Sequence, residues 1–105
     1  DVIYVPTDNT AASNTEAIAN VTVPAKTPVI AGEEGICKGC GVATLSISYY
    51  DLGMTTGKMA AKILTGEADI STMPIEFTTA TPKYNASMCE TLGITPLEGY
   101  TAIAE

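Results

Sequence analysis

Two short apolar runs dominate the first third of the chain. Val2-Ile3-Tyr4-Val5 is β-branched and aromatic and stops at Pro6; Val29-Ile30-Ala31 stands between Pro28 and Gly32. The small-residue stretch between them reads as a helix. Strand, short helix and strand within about thirty residues predict a βαβ unit, whose strands pair in parallel through a right-handed crossover. The expected class is therefore α/β, with a parallel, Rossmann-like sheet in three αβα layers.

The rest of the chain is read on the same terms. Thr7-Asp8-Asn9-Thr10 is a cluster of capping and turn residues, and it predicts a helix over 11–21 with Asn9 or Thr10 as its cap. From Gly32 to Gly41 the run GEEGICKGCG holds four glycines, which argues against a regular element. Val42 to Ser48 is a third strand, with Val42, Thr44, Ser46 and Ser48 on one face and Ala43, Leu45 and Ile47 on the other.

Ser48 or Asp51 then caps a helix that runs to about Thr65. Leu52, Thr56, Met59, Ala60, Ile63 and Leu64 recur on it at helical spacing, and Gly66 stands where a left-handed terminator belongs. After Met73-Pro74, Ile75 to Thr79 alternates like a fourth strand. Asn85 caps a short helix over Ala86 to Leu92, closed by Gly93. Ile94 to Glu105 shows no strong period.

Composition removes several function classes. Among 105 residues, 46% are hydrophobic and 16% charged, which fits a packed domain and excludes disorder, collagen and coiled coil. Five Lys against twelve Asp and Glu give a net charge of −7, so neutralisation of nucleic-acid phosphates is not expected. With no His, catalysis by imidazole and His-ligated metal sites are excluded. No apolar run approaches the ~20 residues of a membrane-spanning helix. The chain opens at Asp1 inside a strand-like run, with no basic and apolar leader, and reads as a processed protein or an excised fragment.

Four motifs carry candidate chemistry. The Val5 to Thr10 turn ends a strand and feeds a helix, the place where open α/β sheets bind ligands. There Asp8 is placed to meet a ligand amine or hydroxyl, or simply to cap the helix. Glu33 and Glu34, at the tip of the second strand, suit a cation or amine, or form a solvated acidic turn. Cys37-Lys38-Gly39-Cys40 is a CxxC with Cys89 as a third thiol, which allows a thiol-redox or metal-binding module; idle thiols or a disulfide are the competing reading. Tyr49 and Tyr50, between strand and helix, either stack on a ligand or pack the turn.

Taken in order, DVIYVPTDNT, PVIAGEEG, the glycine-rich crossing, ATLSISYYDLGMTTGKMAAKILTGEADISTMPIEF and NASMCETLGI resemble the C-terminal portion of one family. It is the ABC-transporter solute-binding proteins of the tryptophan/tyrosine type, with the type 1 periplasmic-binding-protein fold. The resemblance implies two α/β lobes joined by crossing segments, with residues 1–36 and 74–93 in one lobe and 42–66 in the other. More than half of a family member would lie N-terminal to Asp1. The family more usually has glycine or an apolar residue where Cys37 and Cys40 stand.

The implied function is non-enzymatic capture of a small amine-bearing solute, an aromatic or other amino acid, and delivery to an ABC permease. The implied location is extracytoplasmic, as a periplasmic protein or a cell-surface lipoprotein. Thr7, Asp8, Asn9, Glu33 and Glu34 would edge the cleft from one lobe, and Ser48 and Tyr49 from the other. Neither cofactor nor metal is implied. A ligand-sensing domain using the same cleft is the alternative within this likeness. With much of its sheet elsewhere, the 105-residue chain alone is expected to form a homodimer or a domain-swapped oligomer, or to repack into one sheet.

Overall fold

The computed structural model describes residues 1–104, which form two compact units. The first joins residues 1–46 to the segment from Thr81 onward and holds a five-stranded sheet, β1 to β5 in that spatial order. Strands β1 (Ile3–Val5), β2 (Val29–Ala31) and β3 (Ala43–Ser46) run parallel, in registers Val5↔Ala31 and Ala31↔Thr44. Strand β4 (Thr81–Tyr84) is antiparallel to β3, and the two-residue β5 (Thr101–Ala102) is parallel to β4. The expected α/β class and mostly parallel sheet are present.

Helices α1 (Asn9–Ala12), α2 (Thr15–Thr22) and α3 (Glu34–Cys40) pack on one face. The core there is Val29, Ala31, Ile36, Cys37 and Cys40, with Val5, Ala11, Ile18, Ala19 and Ile103 against it. Across the sheet, Ile30, Ala43 and Tyr84 meet α5 (Ala86–Leu92) and residues 94–100 around an apolar hollow of about 170 Å³. In β3 the predicted alternation holds: Val42, Thr44 and Ser46 are buried, while Leu45 is exposed.

Three local expectations need correction. The helix over 11–21 is two helices, and its cap is Asp8 rather than Asn9 or Thr10. Ser13 Oγ and the Asn14 side-chain amide donate to the carbonyls of Asn9 and Thr10, so polar side chains interrupt the helix between Ala12 and Thr15.

The glycine-rich run is helix α3, not an irregular loop. Burial of Ile36, Cys37 and Cys40 and the Glu33 cap offset the glycine cost. Gly39 has a packing role: a Cβ there would lie 2.2 Å from Thr15 Oγ1. As the crossover between β2 and β3, the run stays within the sheet unit. Strand β3 also belongs to that unit through its ladder with β2, although the family likeness groups residues 42–46 with 47–66.

The fourth strand is 81–84, not 75–79. Ile75 and Phe77 are exposed, and β4 instead lines up beside β3 with Leu45↔Pro82. Pro82 is tolerated because β5 reaches only Lys83 and Tyr84, so nothing in the ladder needs a proline N–H on that side.

The second unit, residues 47–80, is built on α4 (Tyr49–Leu64). Ser48 caps it by accepting the Asp51 N–H at 3.2 Å, and Gly66 follows it with φ of 78°. Thr56, Met59, Ala60 and Ile63 of the predicted stripe meet Ile70, Met73, Pro74 and Ile75. None of the described helices is long and apolar enough to cross a membrane.

Candidate functional site at the strand tips

Because β1, β2 and β3 are parallel, their carboxyl ends share one edge of the sheet. The turns that leave β1 and β2 touch there. Gly32 N–H donates to the Val5 carbonyl at 2.8 Å, and a Cβ on Gly32 would stand only 2.6 Å from the backbone nitrogen of Thr7. Only glycine permits that approach, which seats the turn at Pro6 and Thr7 against the turn that leads into Glu33.

The carboxylates at this edge have different occupations. Asp8 accepts the Ala11 N–H at 2.8 Å through Oδ1; its other oxygen has no partner among the described residues, and its side chain is exposed. Glu33 is engaged through both oxygens, by the N–H groups of Gly35, at 2.8 Å, and of Ile36. Glu34 donates its backbone N–H to Ser46 Oγ at 3.1 Å, while its carboxylate pairs with Lys83 at 2.6 Å. Glu33 is thus a helix cap rather than a solvated acidic turn, whereas Asp8 carries out the capping role that was its alternative reading and retains accepting capacity.

Thr7 and Asn9 are exposed beside it, with Asn9 the first residue of α1. Ser48 and Tyr49 lie in the other unit, where Ser48 is occupied as a helix cap and Tyr49 is exposed. Two residues of the edge, Ser46 and Lys83, were not candidates in the sequence. Ser46 carried only a face assignment on β3, and Lys83 was hidden by Pro82, which argues against a strand.

The cysteine pair has the opposite character. Cys37 and Cys40 lie within α3, and with Cys89 all three thiols are free and buried. Burial raises the Cys37 thiol to about 12, with the neighbouring Cys89 and Cys40 thiols and the Glu34 and Glu33 carboxylates adding to the rise. Burial also raises Cys40 and Cys89. Thiols held protonated and enclosed are poor nucleophiles, which removes the support for the thiol-redox alternative. Among the described residues no group of His, Cys, Asp and Glu is arranged to hold a metal ion.

Known proteins have a similar fold. The chain is similar to a solved structure titled as an ABC domain in complex with L-Trp from Streptococcus pneumoniae, at 31% identity and a TM-score of 0.82, covering 98% of this chain and 37% of that one. It is also similar to the ligand-free, open structure of a substrate-binding protein with adhesive properties from Clostridium difficile, at 34% identity and a TM-score of 0.76, covering 97% and 35%. A curated relative, a tyrosine-binding protein of Clostridioides difficile, is 38% identical over 68 residues, which are 65% of this chain and 20% of the relative. The chain therefore spans about a third of the solved relatives and a fifth of the curated one. The family model described as ABC transporter substrate binding protein matches residues 1–105. With that match over the whole chain and those folds beside it, the chain belongs to the ABC transporter substrate-binding protein family.

Proposed function

We propose that this chain forms part of the solute-capturing component of an ABC importer, acting outside the cytoplasm without catalysis. In this reading an amino acid with an aromatic side chain is held between two lobes and handed to a permease. The sheet unit supplies one edge of the solute site. Asp8 receives the solute ammonium, Thr7 and Asn9 offer hydrogen bonds, and Ser48 and Tyr49 serve from the second lobe, with Tyr49 as apolar wall. Glu33 and Glu34 shape the edge without touching the ammonium.

One observation carries this reading: Asp8 is fixed by its own helix through one oxygen and leaves the other open at the carboxyl edge of a parallel sheet. A carboxylate positioned in this way needs no reorganisation to receive an ammonium, and a charge-assisted hydrogen bond is the strong kind. The L-Trp complex and the tyrosine-binding relative support an aromatic amino acid as the solute.

The test is titration calorimetry of the complete polypeptide with tyrosine and tryptophan, before and after Asp8→Asn. Asparagine caps helices as well as aspartate does, so the substitution removes the charge and keeps α1. Loss of a hydrogen bond to a charged group is worth about 1.5–3 kcal/mol, so affinity is expected to fall roughly ten- to a hundredfold at an unchanged melting temperature. Undiminished affinity in Asp8→Asn, or no heat from either amino acid with the unaltered protein, overturns the reading.

A further inference from the structure

The geometry points to Lys83 as the residue that sets the charge selectivity of the strand-tip site, restricting it to solutes with one ammonium and a compensating carboxylate. This rests on the reading that a solute ammonium meets Asp8. Three carboxylates, Asp8, Glu33 and Glu34, follow the carboxyl ends of the neighbouring strands β1 and β2. An uncorrected cluster of that kind would attract a diamine, or an amine without a carboxylate, in preference to a zwitterion. It would also repel the solute's own carboxylate.

The cluster is corrected residue by residue. Glu33 has both oxygens turned into the first turn of α3. Glu34 is neutralised by Lys83, whose Nζ lies 2.6 Å from Oε2 in the single ion pair among the described residues. The partners are 49 residues apart in sequence, and both side chains are about two-thirds covered. Strand β4 runs against β3 with Lys83 opposite Thr44, and the Glu34 backbone is tied to Ser46 Oγ, so β4, β3 and the first turn of α3 hold the pair in place. A cation so tethered leaves Asp8, of the three, as the one carboxylate open to a ligand. Lys83 acts through Glu34 and is a positioning residue, without contact to solute.

The experiment measures, on the complete polypeptide, the affinity for tyrosine relative to tyramine, which has the same ring and amine but no carboxylate. Lys83→Met frees the Glu34 charge and is expected to lower the tyrosine-to-tyramine ratio roughly three- to tenfold, given the partial exposure of the pair. Lys83→Arg is expected to restore the ratio, as is the double change Lys83→Met with Glu34→Gln. Glu34→Gln alone strands the cation and should raise the ratio, which provides a reading even if Lys83→Met fails to fold. Raising the salt concentration should shrink all these differences.

A ratio unmoved by both Lys83→Met and Glu34→Gln, while tyrosine still binds, overturns the role of Lys83 and leaves the functional reading intact. Binding of neither compound by the unaltered protein overturns both.

Discussion

Cys37 is wholly enclosed between α3 and the sheet, and its chemistry is set by that enclosure. Its thiol rises from an ordinary value near 9 to about 12, chiefly through burial. The folded state therefore holds the proton more tightly than the unfolded chain does. This contribution to stability is complete below pH 9 and is lost as pH climbs from about 9 toward 12. Denaturant midpoints are expected to drop between pH 8 and pH 10.5, and to drop less in Cys37→Ala, where the titrating thiol is gone. Parallel declines in the two proteins would count against burial as the cause. Asn85 shows how much one buried polar residue can join: its amide donates to the carbonyls of Cys37 and Lys38, and its carbonyl accepts from Ser87 and Met88. Its capping role was readable from the residue type and the following helix. Its grip on α3 was not, because the partners are 47 and 48 residues away.

At the scale of elements, glycines separate into those with a neighbour and those without. Gly39 lets α3 settle on α2, whereas Gly53 and Gly57 in α4 would present a Cβ to open space. In an exposed helix interior each glycine costs about 0.8–1.0 kcal/mol relative to alanine. Gly53→Ala and Gly57→Ala are expected to be individually stabilising by roughly that amount and additive, as measured by thermal melting. A loss of stability would reveal a neighbour for this face of α4. Helix α4 was recognisable from its stripe, its serine cap and its terminal glycine, all signals within a few residues of each other. Helix α3 was not, because its stability comes from packing that offsets two glycines, Gly35 and Gly39.

At the scale of the molecule, strand order leaves β1 at the border of the sheet with one side unpaired. Tyr4 is 65% exposed and Ile3 42%, so this border is both apolar and open to hydrogen bonding. Edge strands of that kind pair with other chains unless charge or proline blocks them. The 105-residue chain by itself is expected to self-associate in light scattering, and Tyr4→Lys should shift it toward the monomer. A monomeric mass for the unaltered chain would show that the edge is protected in some other way.

Short-range chemistry was decided within the sequence. The opening βαβ unit, the caps at Ser48 and Asn85 and the terminators at Gly66 and Gly93 each depend on residues a few positions apart, where spacing alone dictates geometry. Tertiary structure decided which groups at the strand tips remain available. The contact of Gly32 with Thr7, the choice of 81–84 rather than 75–79 as the partner of β3, and the pairing of Glu34 with Lys83 all follow from the order of strands across the sheet. A local pattern cannot encode that order, because side chains separated by dozens of residues acquire neighbours only once the whole sheet has closed around a shared core.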